Sequence, residues 1–491
     1  MNICFGGVDT ISVPKRYYPL NEFAAHTIGY VSRINQDEYT KLGDDYTQNS
    51  VIGKMGIEQT FEKYLMGENG IKKTEVDNIG TPSTETIVKP QVPGKNVTLT
   101  LDYRLQKTAE DALVKTINDI RVGTPSIVKS PDVSSGAVAV LDVTTGEVLS
   151  LVSYPTFDLN KMVSKLSYKD WNDLINSPLK PMYNRSITGT YSPGSTYKML
   201  VGLAGLQEKK ITTNEKIYDP GIYPLGHKPK CWIYESRRTT HGYVNVADAI
   251  KVSCNCFFYE VGNRLGIENI VKYTKMFGLG SKTGIELSGE KSGMIAGDNQ
   301  KEWYLGDTLS ASIGQSYNSY TPISLANYIS TLSNGGNLNK VTVVKSVADV
   351  NKNMESLDEI NLFTSNVTGV NFEPKKIDIN KEYIDEIKKG MLSVTTDRGG
   401  TSYIVFKNGG IQVAGKTGTS QVTSGSNNGI FVGFAPYDKP KIAVVAIIEH
   451  GGEGTYTANV VKPIMEEYFK IVSEDNKNVR PQNILDNNVK F

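Results

Sequence analysis

Two residues whose types and spacing allow covalent chemistry, Ser195 and Lys198, lie three positions apart in the stretch TYSPGSTYKMLVGLAGLQ. The apolar residues that follow predict a helix, on which side chains three apart share one face, about 5–6 Å apart at Cβ. A serine is a weak nucleophile without an adjacent base, and the Lys198 amine could be that base. In a first helical turn, the helix dipole would also favour an oxyanion beside the serine and an unprotonated lysine. The pair therefore predicts an acyl-transfer site.

The Ser-x-x-Lys pattern alone is common, because the chain repeats it at four other places. Those places are Ser12/Lys15, Ser126/Lys129, Ser177/Lys180 and Ser288/Lys291. Proline or glycine interrupts or follows each of them, which disfavours a continuous helix. Only Ser195 precedes a long apolar helix.

The triplet Ser253-Cys254-Asn255 lies between two predicted helices within residues 245–275. On extended backbone, Ser253 and Asn255 would point the same way and Cys254 the other way. Ser253 could then relay a proton, and Asn255 could hold a substrate amide. A polar helix end without chemistry remains the alternative.

A third polar motif, GKTGTS at 415–420, precedes the last predicted strands. Lys416 at a sheet edge could present positive charge to a substrate carboxylate, and Gly418 would leave room for a substrate backbone. A tight turn is the alternative, since Lys282-Thr283-Gly284 repeats the pattern.

Four residues between and within these motifs could bind a metal ion. Asp219, Cys231, His241 and Cys254 offer a carboxylate, two thiolates and an imidazole, which are acceptable tetrahedral zinc ligands. If Cys254 points away from the substrate, a metal there would brace the active-site loop from behind. His227 and Cys256 are competing ligands, and buried free cysteines without metal are also common.

Length and composition indicate an ordinary multi-domain globular protein. The 491 residues include 53 Lys and Arg against 52 Asp and Glu. This balance excludes the excess of positive charge that is typical of a nucleic-acid-binding protein. No apolar run reaches the roughly eighteen residues of a membrane span. The N-terminus lacks the features of a signal peptide, which leaves a cytoplasmic protein or a chain without its anchor. The four cysteines do not form a disulfide framework.

The pattern of predicted elements indicates an α+β fold, an antiparallel sheet faced by helices. Strands are expected at 97–101, 411–413, 429–435 and 441–448, and a hairpin at 136–152. Helices are expected at 59–65, 103–121, 381–396 and 460–471, with an amphipathic one from near Pro322. Residues 71–93 are expected to form two short strands. The predicted divisions are an N-terminal domain with linker at 1–122, a main domain at 123–472 and a loose tail at 473–491.

Together, the three motifs resemble the signature of penicillin-binding proteins and β-lactamases, S-x-x-K, S-x-N and K-T-G in that order. The long gap between the second and third motifs disfavours a compact β-lactamase. Flanking stretches such as GKMGIEQTFEKYLMGENG (53–70), SGAVAVLDVTTGEVLSLVSYPTFDLN (135–160) and VAGKTGTSQ (413–421) narrow the resemblance. The chain resembles class B penicillin-binding proteins, especially the elongation-type branch called penicillin-binding protein 2.

This resemblance implies a partial N-terminal pedestal domain followed by a penicillin-recognising transpeptidase domain. It implies D,D-transpeptidation of peptidoglycan stem peptides ending in D-Ala-D-Ala, with β-lactams as acylating inhibitors. It also implies roles for the motif residues. Ser195 would be the nucleophile and Lys198 its base, while Ser253 with Lys416 would transfer the proton to the leaving group. Asn255 would hold the substrate amide, the N–H groups of Ser195 and Thr419 would form the oxyanion hole, and the substrate would be bound by Thr417, Gly418 and Thr419.

The resemblance further implies structural zinc on Asp219, Cys231, His241 and Cys254, and no cofactor for the acyl transfer itself. A membrane glycosyltransferase of the SEDS type is the expected partner. The expected location is the outer face of the cytoplasmic membrane, through an N-terminal anchor absent from this sequence. The alternatives are a β-lactam-hydrolysing or D,D-carboxypeptidase relative and a β-lactam sensor. Elongation, sporulation and β-lactam resistance are not distinguished.

Overall fold

The structure is a computed structural model that describes residues 15–43, 46–79, 82–164 and 166–475. The loose tail was predicted from residue 473, but residues 473–475 belong to the last helix, Gly454–Asp475, and the rest of the tail lies outside the described residues. Within the described ranges, no helix has both the length and the apolar character needed to cross a bilayer.

The N-terminal part of the chain consists of short helices and paired strands. The strand Val31–Arg33 pairs with the strand Val51–Gly53, and the exposed strands Ile71–Val76 and Pro82–Lys89 form the predicted pair. The predicted helix at 59–65 is divided at Phe61. The elements are α1 (Ala25–Ile28), β1 (Val31–Arg33), α2 (Gln36–Leu42), β2 (Val51–Gly53), α3 (Gly56–Thr60), α4 (Glu62–Leu65), β3 (Ile71–Val76), β4 (Pro82–Lys89) and β5 (Asn96–Leu99).

The middle of the chain contains the predicted hairpin, the serine motif and most of the helices. A 3₁₀ turn, Gly194–Tyr197, comes directly before the helix Lys198–Gln207. The elements are α5 (Tyr103–Val122), β6 (Ser135–Asp142), β7 (Val148–Tyr154), α6 (Leu159–Val163), α7 (Tyr168–Ile175), α8 (Lys198–Gln207), β8 (Ile217–Asp219), α9 (Trp232–Arg237), β9 (Gly242–Val244), α10 (Val246–Lys251), α11 (Asn255–Met276), α12 (Leu305–Ser312) and α13 (Pro322–Ser333).

The last part of the chain supplies three strands of the main sheet and its C-terminal helix. β5 pairs with the strand Val344–Ala348 and therefore joins the N-terminal part to this region. The elements are β10 (Asn337–Leu338), β11 (Val344–Ala348), α14 (Leu357–Thr368), β12 (Lys375–Lys376), α15 (Lys381–Thr396), α16 (Tyr403–Phe406), β13 (Ala414–Ser420), β14 (Asn428–Ala435), β15 (Ile442–Glu449) and α17 (Gly454–Asp475).

The main domain is built on a five-stranded antiparallel sheet in the order β13-β14-β15-β6-β7. Successive residues of a strand face opposite sides. Accordingly, Val445 on β15 packs in the core that contains α13, whereas Val444 packs in the core beneath α5 and α17. Both faces are therefore covered by helices, which confirms the predicted α+β fold.

Two predicted details of this domain are wrong. The strand predicted at 411–413 is β13 (Ala414–Ser420), so the lysine motif lies within the strand. Helix α13 is buried on every side rather than amphipathic. Three of its hydroxyl groups donate to backbone carbonyls: Ser324 to Thr321 O, Thr331 to Asn327 O and Ser333 to Ser330 O, whereas the Ser330 hydroxyl has no partner among the described residues. Polar side chains satisfied in this way can be buried.

Helix α5 packs with the main sheet, although the sequence-based division at residue 122 assigns it to the N-terminal domain. Gln106 is fully buried, donates to Leu151 O at 3.2 Å and accepts from Leu151 N at 2.8 Å on β7. Arg104 bonds Glu467 on α17 at 2.7 Å. We therefore propose that the domain boundary lies before α5, near residue 100.

Candidate active site

The predicted nucleophile, Ser195, lies in the 3₁₀ turn Gly194–Tyr197, just before α8 rather than in its first turn. Gly194 has φ +51° and donates its N–H to Gly314 O at 3.0 Å. Ser195 is half-buried, and its hydroxyl has no hydrogen-bond partner among the described residues. The hydroxyl is therefore free to meet a ligand.

Lys198 brings the first two motifs together. It is fully buried, and its Nζ donates to Ser253 O at 2.9 Å, to Ser253 Oγ at 3.2 Å and to Asn255 Oδ1 at 2.6 Å. The expected Ser195–Lys198 contact is not a hydrogen bond in this structure. The Lys198 amine instead donates hydrogen bonds to Ser253 and Asn255, the two polar residues of the Ser-x-Asn triplet.

The backbone of the triplet that faces Lys198 is not extended throughout, in contrast to the sequence prediction. Ser253 has φ +56°, Cys254 is extended, and Asn255 begins α11. The triplet is thus a sharp turn into a helix rather than a stretch of strand. Cys254 Sγ accepts from Phe257 N at 3.5 Å and is not among the acceptors of Lys198 Nζ.

Lys416 lies on the edge strand β13, as the sequence predicted, and it is fully buried there. Its Nζ donates to Thr417 O at 2.9 Å. Thr417 Oγ1 lies 2.7 Å from Thr401 Oγ1. The sequence analysis missed Thr401, since nothing in TDRGGT (396–401) connects it to a motif.

Glycines allow β13 to pack directly on the nucleophile turn. A Cβ at Gly418 would lie 2.9 Å from Pro193 O and 2.9 Å from Thr196 Cγ2. A Cβ at Gly194 would lie 2.5 Å from Thr419 O. Gly418 was predicted to make room for a substrate backbone, whereas its contacts show that it makes room for this turn.

The sequence analysis also missed Gln315, which links the turn to β13. Gln315 Nε2 donates to Thr419 O at 3.1 Å, and the neighbouring Gly314 O accepts from Ser192 Oγ at 2.7 Å. The stretch SIGQS (312–316) follows α12, but its composition resembles that of many loops. Its position beside the site required the fold.

The second Lys-Thr-Gly copy, at 282–284, has a different environment. Thr283 donates its N–H and its hydroxyl to Glu290 Oε1, both at 2.7 Å. Thr283 is therefore engaged with a buried carboxylate of its own loop. This copy lies in an irregular loop rather than in the tight turn that was the alternative considered for it.

The two buried lysines influence each other's charge. Burial lowers the pKa of Lys198 to about 8, although negative charge at Cys231 and the other cysteines opposes the shift. Burial and the nearby Lys198 charge lower the pKa of Lys416 well below its usual range. Both causes disfavour two protonated amines in the same site, so a neutral amine is available near neutral pH.

The four predicted metal ligands come together behind this site. The ligand atoms of Asp219, Cys231, His241 and Cys254 all lie within 4.8 Å of one another. His241 Nδ1 lies 2.8 Å from Asp219 Oδ2 and 3.5 Å from Cys231 Sγ. Nδ1 is therefore the ring nitrogen that faces the cluster.

The electrostatics of this cluster favour a cation. Burial lowers the pKa of His241, but hydrogen bonds with Asp219 and Cys231 outweigh burial and raise it to about 9. Bonds with Cys254 and Cys256 hold the pKa of Cys231 well below its usual range. Of the competing ligands, Cys256 lies beside Cys231 but outside the set of four, and His227 lies near Gly306. The donor set, its burial and its spacing fit a zinc ion.

A half-buried serine with a free hydroxyl near a buried lysine, a Ser-x-Asn turn and a Lys-Thr-Gly edge strand define a serine acyltransferase of the penicillin-recognising class. The penicillin binding protein transpeptidase domain family matches residues 136–466, and the penicillin-binding protein dimerisation domain family matches residues 2–99. The first match covers more than half of the chain. The chain belongs to the penicillin-binding protein transpeptidase family.

Similar proteins place it among the class B members. Peptidoglycan D,D-transpeptidase MrdA of Escherichia coli K12 is 32% identical over 94% of this chain and 72% of its own length. PBP2 of Helicobacter pylori, solved in complex with MreC, is 28% identical with a TM-score of 0.76, over 93% of this chain and 79% of that one. A chain of a peptidoglycan synthase complex that coordinates polymerization and crosslinking is 30% identical with a TM-score of 0.78, over 93% and 76%.

The contact between the turn and β13 predicts the effect of Gly194→Ala. The added Cβ would lie 2.5 Å from Thr419 O at a positive φ, a strain of about 1–3 kcal/mol. Since about 1.4 kcal/mol is tenfold in rate, we expect acylation by a fluorescent penicillin to slow at least about fivefold. Gly410→Ala is the matched control, because a Cβ there meets no atom within 4 Å. Equal rates for a folded Gly194→Ala variant and the wild type would contradict this packing argument.

Proposed function

We propose that this protein is a peptidoglycan D,D-transpeptidase that cross-links stem peptides through an acyl-enzyme on Ser195 and is acylated there by β-lactams. The observation that carries the proposal is the convergence of Lys198 Nζ on Ser253 and Asn255 beside an unpaired serine hydroxyl. Family membership and the named relatives support the same reaction.

The proposed reaction has two acyl-transfer steps. Ser195 Oγ attacks the carbonyl between the two terminal D-Ala residues, and Lys198 takes the hydroxyl proton. The C–N bond then breaks, and Ser253 passes a proton to the departing D-Ala amine. An amine of a neighbouring stem peptide attacks the ester, forms the cross-link and restores the Ser195 hydroxyl. Asn255 holds the substrate amide, and Lys416, whose pKa is lowered by burial and by the Lys198 charge, tunes the charge state of Ser253.

Strand β13 supplies the binding groups in this proposal. The N–H groups of Ser195 and Thr419 form the oxyanion hole, and each such donor is worth about 3 kcal/mol in comparable sites. The close contact of Gly194 with Thr419 supports this pairing. The hydroxyls of Thr417 and Thr419 bind the terminal carboxylate, with Thr401 fixing the orientation of Thr417.

Transfer and hydrolysis differ in the fate of the acyl-enzyme. A β-lactamase or carboxypeptidase relative would release the acyl group to water, and a sensor would hold the drug without any peptide product. The N-terminal dimerisation-domain match favours the cross-linking class. By analogy with the MreC and synthase complexes of its relatives, we propose a membrane-bound complex with a SEDS-type glycosyltransferase as the cellular setting.

The nucleophile assignment predicts that Ser195→Ala abolishes covalent labelling by a fluorescent penicillin, because no other described group replaces the hydroxyl. Mass spectrometry of the labelled wild type should locate the adduct on the peptide that contains Ser195. Ser177→Ala is the matched control, since Ser177 and Lys180 have the same spacing. Labelling that persists in Ser195→Ala, or is lost in Ser177→Ala, would overturn the assignment.

The base assignment predicts a pH dependence. If neutral Lys198, with its pKa lowered to about 8, takes the serine proton, acylation should rise about tenfold per pH unit below that value and level off above it. Stopped-flow labelling between about pH 6 and pH 9 would measure the profile. A flat profile would contradict Lys198 as the base.

For the cluster behind the site, we propose structural zinc held by Asp219, Cys231, His241 and Cys254. A tetrahedral ion with four protein ligands has no open position for substrate and acts structurally. It would join the loops that carry these residues, and Cys254 lies between Ser253 and Asn255. The acyl transfer uses no group supplied by the metal.

This proposal predicts about one zinc ion per chain by elemental analysis after dialysis, and a lower melting temperature after chelation. Cys231→Ser should lose the metal. Cys256→Ser should retain it, because Cys256 is equally buried but outside the set of four. A metal ratio near zero, with melting unchanged by chelator, would contradict the zinc assignment.

A further inference from the structure

A small hairpin, residues 221–231, projects beside the candidate active site. It is closed by hydrogen bonds from Tyr223 N to Pro229 O at 2.9 Å and from Cys231 N to Gly221 O at 2.8 Å. Its two ends are fixed, because Cys231 and the preceding Asp219 belong to the metal-ligand cluster. We call residues 221–231 the basic hairpin.

The basic hairpin contacts the catalytic centre directly. Asn255 Nδ2 donates to Lys230 O at 3.4 Å, and Asn255 N donates to Cys231 Sγ at 3.3 Å. The same Asn255 side chain accepts from Lys198 Nζ at 2.6 Å. Lys230 is therefore one residue removed from the amine that is the proposed base.

The exposed charge of this hairpin is of one sign. Lys228 and Lys230 are exposed, and neither has an ion-pair or hydrogen-bond partner for its amine among the described residues. The sequence GIYPLGHKPKC (221–231) contains no Asp or Glu. By contrast, Lys251 on the neighbouring α10 is paired with Asp397 at 3.5 Å. Two unpaired amines at the rim of a substrate site attract anionic groups.

We propose that Lys228 and Lys230 bind side-chain carboxylates of an acidic peptide substrate, upstream of the bond that Ser195 cleaves. This inference rests on the proposed function, because it concerns the same substrate at the same site. The terminal carboxylate is assigned to Thr417 and Thr419 on β13. Carboxylates nearer the N-terminus of the peptide would extend past Asn255, where the basic hairpin lies. The hairpin thus selects acidic peptides without taking part in bond cleavage.

The proposal distinguishes a peptide from a small β-lactam. Penicillin occupies only the acylation site, so its binding does not depend on the basic hairpin. A peptide with upstream carboxylates gains two exposed ion pairs, each worth a few-fold in affinity at low salt. Salt should reduce the gain, since exposed charges are screened.

The test compares Lys228→Ala/Lys230→Ala with the matched variant Lys209→Ala/Lys210→Ala. Both remove two exposed positive charges, but Lys209 and Lys210 follow the far end of α8. The probes are two pentapeptides ending in D-Ala-D-Ala, one with free upstream carboxylates and one with the same groups amidated. Their affinity is measured by competition against labelling with a fluorescent penicillin at low and high salt.

We expect the hairpin variant to lose about five- to tenfold in affinity for the carboxylate peptide at low salt, and less than about twofold for the amidated peptide. The control variant should keep the wild-type preference, and penicillin labelling should be unchanged in both. Equal losses for the two peptides, an equal loss in the control, or no preference in the wild type would overturn the inference. Absence of Ser195 labelling in the wild type would instead refute the proposed function.

Discussion

The constraint on which the site depends is the burial of the Lys198 amine. A buried amine is costly unless acceptors surround it, and the chain offers three, two from Ser253 and one from Asn255. Helix α8 can hold the lysine in place because its other residues up to Leu206 are also buried. The turn at Ser253, with its positive φ, then follows from the need to aim both a carbonyl and a hydroxyl at one nitrogen. The proton-transfer groups are thus arranged by the same contacts that make the buried lysine stable.

The strand side of the site depends on close backbone packing instead. Gly194, Gly314 and Gly418 each lie where a Cβ would collide with a neighbouring carbonyl. These contacts fix the nucleophile turn against β13, which is held in register by β14 and the rest of the sheet. Interiors at this packing density transmit small displacements. The distance between the serine N–H and the Thr419 N–H is therefore set by the sheet, not by a mobile loop.

Sequence patterns were sufficient where the determinant is local. The periodicity of helix α5, the hairpin of β6 and β7 and the limits of α15 follow from apolar spacing, turns and caps, which neighbours in sequence decide. Sequence patterns were insufficient where the environment of a residue is decided by a partner far away in the sequence. Lys416 is buried because Lys198 and β13 come together in space, and Gly418 accommodates a turn more than two hundred positions earlier. Thr401 and Gln315 had no signal, because a hydroxyl and an amide in a loop have no pattern until the fold supplies their partners.

The two sides of the site differ in how they become rigid. β13 is held in place by a sheet whose two faces are both covered by helices. Apart from the long helix α11, the Ser253 side consists of short helices, turns and the basic hairpin, which have few backbone ladder bonds of their own. Asp219, Cys231, His241 and Cys254 lie at the junctions of these segments, so ligation of all four would restrain them together. Asn255 contacts both Lys198 and the basic hairpin. A displacement of the metal-ligand cluster would therefore affect both the proposed base and the rim of the substrate site through this one side chain. Bracing this side from behind leaves its front free to bind peptide.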